Sequence, residues 1–157
     1  MTMPALALTE WDIVLRLGLA SLVGLVLGLD RELRGISAGI RTHALVALSS
    51  AVITVSALLL SRTLAADGPV NTDPLRVVQG LAQAIGFVAA GAIFVSKGDV
   101  HNLTSAANVW LAAAVGIASG AGQFGLVLTA AAFGIVILTA VRLIERRLPG
   151  SEKAERD

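Results

Sequence analysis

Cysteine is absent from all 157 residues, which excludes a disulfide framework, a thiol nucleophile and a zinc–thiolate centre and leaves the redox compartment open. Charge is also scarce. Asp, Glu, Lys and Arg make up 15% of the chain, against about a quarter in a soluble domain, while 55% is hydrophobic and the mean hydropathy is +0.81. Lipid is therefore the expected solvent, and the formal net charge of +1 says nothing about partners. The signs of catalysis are missing too: there is no Gly-rich phosphate cradle, nucleophile elbow, metalloprotease helix or Ser-His-Asp arrangement. No small-residue cleavage site follows the first apolar run, which carries Arg16, so that run reads as a retained helix and not a removable signal peptide.

What is there is apolar length. Runs at Ile13 to Leu29, Thr42 to Ser61 and Val77 to Ser96 each approach the ~20 residues that cross a ~30 Å hydrocarbon core. Val100 to Val141 holds no Lys, Arg, Asp or Glu and is about twice the length of one span, so it must fold back. The turn is expected at Ser119 to Gly125, where three glycines and a glutamine stand, giving spans at Leu103 to Ser119 and Phe124 to Val141. The fold class is all-α, an integral membrane bundle of about five transmembrane helices. Nine of the twelve Lys and Arg (Arg31, Arg34, Arg41, Lys97, Arg142, Arg146, Arg147, Lys153, Arg156) fall on one face, which the positive-inside rule makes cytoplasmic. The amino terminus is then outside and the carboxyl terminus inside, with Trp11 and Trp110 near opposite interfaces. Residues 1–148 form one transmembrane domain, and 149–157 a short polar tail expected to be disordered and cytoplasmic.

Between lipid-embedded helices, association relies on small residues and polar side chains. Small residues recur at four-residue steps: Ala20, Gly24 and Gly28 in the first helix, Ala130 and Gly134 in the fifth. The fourth carries Thr104, Asn108, Ala112, Gly116 and Gly120, and the third Arg76, Gln79, Gln83, Gly86 and Ala90. The polar face of the third helix is expected to avoid lipid. Two readings stay open for it and for Asn108: tight packing with the amides satisfied across helices, or a polar path or ligand pocket. The glycine rows also exceed what five helices need internally, which suggests a homo-oligomer, a dimer in the simplest case.

The densest chemistry lies between the first two spans, where residues 28–43 hold Asp30, Arg31, Glu32, Arg34 and Arg41, then Thr42 and His43. Charge is costly at the edge of hydrocarbon, so this cluster is the first functional candidate. Asp30 and Arg34 have the spacing of a helical ion pair, and Glu32 points elsewhere. Asp30 and Glu32 are the only metal-ligand candidates; they do not converge, although magnesium keeps most of its waters and can use one or two carboxylates. His43 at a helix start is either a structural hydrogen-bonder or a proton switch or ligand. Asn102 or Thr104 can cap the fourth helix, whose start lies on the same face beside Arg34, Arg41 and Lys97. An anionic lipid headgroup, phosphate or acidic segment would suit that place.

The segments Gly28-Leu-Asp-Arg-Glu-Leu-Arg-Gly35, Ala38-Gly-Ile-Arg-Thr-His-Ala-Leu-Val46, Asp73-Pro-Leu-Arg-Val-Val-Gln79, Gly86-Phe-Val-Ala-Ala-Gly91 and Leu103-Thr-Ser-Ala-Ala-Asn-Val-Trp110 resemble the MgtC/SapB family in order and spacing. The resemblance covers residues 18 to 125. It implies a multi-pass protein of the bacterial inner membrane, tied to magnesium limitation and intracellular survival, that regulates other inner-membrane machines such as the rotary ATP synthase. Asp30, Arg31, Glu32, Arg34, Arg41, Thr42, His43, Arg76, Thr104, Asn108 and Trp110 fall in its signature segments. Three positions depart from the pattern: Asp30 stands where glutamate is common, Ala90 in a segment richer in glycine, and Asn102 where glycine precedes Leu-Thr. Longer members carry a soluble domain after the fifth helix, and this chain is expected to lack its functions. Non-catalytic regulation through the bilayer and its proteins is the first reading, with no nucleic acid and no certain cofactor beyond a possible magnesium ion. The alternative is an ion channel or transporter subunit passing magnesium or another cation along Arg76, Gln79, Gln83 and Asn108.

Overall fold

The computed structural model describes residues 8–36, 38–66, 73–96 and 99–145. Five helices follow one another: α1 (Glu10–Leu33), α2 (Ile40–Ala66), α3 (Leu75–Ala92), α4 (Leu103–Gly120) and α5 (Phe124–Glu145). The first four are long and apolar enough to cross a membrane, and α5 is apolar over Phe124–Ala140. The turn between α4 and α5 falls where the glycines predicted it. Expectations that rest on Lys97, Arg146, Arg147, Lys153, Arg156 and the tail lie outside the described residues.

One element departs from the sequence reading. The run expected to continue as helix to Ser96 ends at Ala92, and strands β1 (Phe94–Ser96) and β2 (Asp99–His101) pair antiparallel between α3 and α4. Phe94 stacks on its cross-strand partner His101 with ring centroids 5.0 Å apart. Val95 and Val100 face each other in the middle of the ladder, where β-branched side chains fit the pleat.

The core lies where α1, α2 and α4 meet, built from Ala20, Val23, Leu27, Ala47, Ala51, Ala112 and Val115, with Val127 and Ala131 of α5 closing one side. Its residues are small because the backbones nearly touch. A Cβ added at Gly24 would stand 2.7 Å from the His43 carbonyl, and one at Gly28 2.6 Å from the Ile40 Cα. Gly116 and Gly120 lie against the backbones of Ala47 and Ala51 in the same way. The glycine rows that suggested self-association are thus consumed inside the chain, packing α1 and α4 onto α2.

α4 is the hub and α3 the periphery: 61% of the α4 span is buried inside the chain, and 17% of the α3 span. α3 leans mainly on α4 through Leu81, Ile85 and Ala89, a row at four-residue steps. Gly86 makes room for the Trp110 ring, so Trp110 takes part in α3–α4 packing. At the other end of α4, Arg16 donates to the Gly120 carbonyl at 2.7 Å while its own carbonyl accepts from the Ser119 hydroxyl at 2.7 Å. A cation that would be costly within a span sits against the negative end of a helix dipole.

Candidate functional site

The charged segment is built by the way α1 stops. Arg34 caps the helix and Gly35 turns left-handed at φ 65°. The Gly35 N–H then donates to Glu32 O at 3.0 Å and the Ile36 N–H to Arg31 O at 3.1 Å. This double closure satisfies the last carbonyls and reverses the chain toward α2. Ala38 is left-handed as well, at φ 58°, an uncommon state for a residue with a Cβ.

Three successive residues of the last turn of α1 then go three ways. Asp30 turns along its own helix to Arg34, 2.7 Å apart, the ion pair that the spacing predicted. Glu32 reaches the start of α2, where its carboxylate accepts the Ile40 N–H at 3.2 Å and sits on the positive end of that helix. Arg31 points inward and is 1% exposed, with its guanidinium donating to the Ser105 hydroxyl of α4. One turn deeper, the Asn108 amide donates across to the Leu27 carbonyl at 3.0 Å. His43 enters from α2 fully buried, its Nδ1 3.0 Å from the Gly39 carbonyl one turn back.

Arg31, His43, Ser105 and Asn108 therefore form a polar knot between three helices, with Asp30, Glu32 and Arg34 as its rim. Thr42 is half-buried at the edge, and Arg41 and Thr104 are exposed. Asp30 and Glu32 diverge, each already engaged. Among the described residues no group of three or more His, Asp or Glu is placed to hold a metal ion. The interior keeps some unused hydrogen-bonding capacity, since His43 Nε2, Ser50 Oγ and Asn108 Oδ1 are buried without a partner.

Three sequence expectations change here. Arg76, Gln79 and Gln83 do not line the interior; all three are exposed on the outer side of α3, because the Leu81, Ile85 and Ala89 row claims the inner side. They share no path with Asn108, which is buried against α1. Thr104 leaves the α4 stripe because four-residue steps drift by about 40° each, and Ser105 takes its inward place. Sequence reasoning missed Ser105, although it stands three residues before Asn108 on the same side. Finally, neither Asn102 nor Thr104 caps α4. Asn102 occupies the N-cap position left-handed, at φ 66°, and its amide donates instead to the Ala92 carbonyl of α3 at 3.1 Å. That conformation is the one a glycine serves, and asparagine tolerates it better than most residues with a Cβ.

A family model described as "MgtC family" matches residues 17–147, which takes in the whole knot and its rim. The chain belongs to the MgtC family. It is 31% identical over 147 residues to "Protein SapB" of Bacillus subtilis (strain 168), covering 93% of this chain and 63% of that protein. To "Putative magnesium transporter YhiD" of Escherichia coli (strain K12) it is 32% identical over 138 residues, 87% of this chain and 64% of the other. To "Protein MgtC" of Salmonella typhi it is 35% identical over 149 residues, 91% of this chain and 59% of the other. The chain thus spans less than two thirds of the length of these relatives. No solved structure matches it. Family and apolar helices together make this a multi-pass membrane protein.

Proposed function

We propose that the chain is a non-catalytic regulator of other proteins in the bacterial inner membrane, acting when magnesium is limiting and not itself carrying magnesium. The observation that carries this reading is the placement of oxygen ligands. The carboxylates of Glu10, Asp12, Asp30, Glu32 and Asp73 all stand at or beside a helix end, and the two nearest the knot are taken up by Arg34 and the α2 amino terminus. A carrier of so strongly hydrated a cation needs several converging oxygens, and among the described residues the buried polar side chains are amides, hydroxyls, one histidine and one guanidinium. The Lys and Arg imbalance supports a cytoplasmic knot, with the amino terminus outside.

In a host deleted for its own copy, supplying the chain should restore growth at limiting magnesium without changing the initial rate of magnesium uptake per cell. An uptake rate that rises with the amount of chain would overturn the reading. A cytoplasm-dependent reporter fused after Arg147 should be active; activity of a periplasm-dependent one there would invert the orientation.

A transport role is the second reading, favoured by the name of the Escherichia coli relative, a putative magnesium transporter. Its route would run between α1, α2 and α4 past His43 Nε2, Ser50 Oγ and Asn108 Oδ1, since Gln79 and Gln83 lie on the other side of α3.

A further inference from the structure

The outward face of α3 carries two amides within a span, and no other described helix exposes one. Several exposed hydroxyls of α2 and α5 are satisfied by their own helix: Ser49 donates to Leu45 O at 2.7 Å, Thr63 to Leu59 O at 3.1 Å and Thr129 to Gly125 O at 2.8 Å. Gln79 and Gln83 are exposed on α3 and have no hydrogen-bond partner among the described residues. Gln83 lies eight residues past the start of α3, about 12 Å along a helix that spans most of a ~30 Å hydrocarbon core. A primary amide at that depth must find a protein partner, because lipid tails offer neither donor nor acceptor.

The surface beside the two amides is shaped for a close helix. Gly80 has open space where a Cβ would stand, and Ala84 follows at the four-residue spacing that lets backbones approach. Phe87, the next residue of that row, is 83% exposed, more than any other large hydrophobic side chain among the described residues. By contrast, the outer face of α5 presents Phe133, Val136 and Ile137 beside Thr129, whose hydroxyl is held by its own helix, and suits lipid.

We propose that this face of α3 binds α3 of a second copy of the chain, forming a parallel dimer about a two-fold axis along the membrane normal. The row is self-complementary. Copies inserted in one orientation bring each residue level with its own equivalent, and an amide both donates and accepts, so two Gln83 side chains satisfy each other, as do two Gln79. The charged members lie at the helix start, where exposed Asp73 stands three residues before exposed Arg76; across the axis each can face the other's opposite charge. This proposal does not depend on the regulatory reading.

The absence of cysteine makes the test direct, because any thiol introduced is the only one. Ala84→Cys and Phe87→Cys, which leave both glutamines in place, should form disulfide-linked dimers when native membranes are oxidised, since a small-residue crossing brings Cα atoms within about 7 Å. Ile137→Cys on α5 should not. Adding Gln79→Leu and Gln83→Leu to Ala84→Cys should slow cross-linking about tenfold while the protein's melting temperature in detergent stays unchanged. Equal cross-linking at Ile137, no effect of the leucines, or capture of a different membrane protein in place of a second copy would each overturn the proposal.

Discussion

α3 and α4 are each 18 residues long, and each sets polar side chains into an apolar helix. They resolve the same difficulty in opposite ways. On α4, Ser105 takes Arg31, Asn108 takes the Leu27 carbonyl and Ser119 takes the Arg16 carbonyl, all within the chain. On α3, Gln79 and Gln83 face outward beyond the reach of the other four helices. A polar stripe on a membrane helix therefore announces that a partner is required, but not whether that partner belongs to the same molecule. Polar groups locked inside the bundle specify its packing, and those left outside are available for binding.

The sharpest way to break this comparison is to place one substitution on each helix. Gly116→Leu would drive a side chain into the Ala47 backbone and should cost roughly 3 kcal/mol or more, seen as loss of folded protein from the membrane. Gly80→Leu, into open space on α3, should leave the melting temperature of the detergent-solubilised protein within a few degrees of wild type. If the two behave alike, the hub and periphery assignment fails.

A smaller effect is expected from Ser105→Ala, which removes a hydroxyl from the buried Arg31 guanidinium and should destabilise by about 1–3 kcal/mol. Thr104→Ala, one residue earlier and exposed, should stay within about 0.5 kcal/mol. The melting temperatures of the two variants would show whether Ser105 or Thr104 is the inward position.

The five helices were legible in the sequence to within a few residues at most ends, because run length alone separates a span from a connector. The α4–α5 turn was legible for a second reason, since its glycines supply the left-handed residue Gly122 at φ 79°. Two things were not. The apolar character of Phe94 and Val95 continues that of α3, so the change from helix to strand leaves no trace in hydropathy; only the β-branched pair Val95 and Val100 around Lys-Gly hinted at it. The side on which a stripe faces was equally hidden, since Gln79 and Gln83 on one face and Leu81 and Ile85 on another are both regular rows, and only packing against α4 selects between them. In the candidate site, the Asp30–Arg34 pair was visible from spacing, whereas the inward turn of Arg31 to Ser105 joins residues 74 apart in the chain.

The smallest predicted effect concerns that pair. A double-mutant cycle over Asp30→Asn and Arg34→Gln should give a coupling of about 0.5 kcal/mol or less, weakened by salt, as for other half-exposed helical pairs. A coupling several times larger would mean that the rim is drier than its exposure indicates and would strengthen its claim to be a ligand site.

The claim that this molecule works by contact and not by conduction is tested most directly by magnesium flux into proteoliposomes containing only the purified chain. The account predicts uptake no faster than in protein-free vesicles, with Asn108→Ala and Ser50→Ala making no difference. Saturable, magnesium-dependent uptake abolished by those substitutions would contradict it and establish transport.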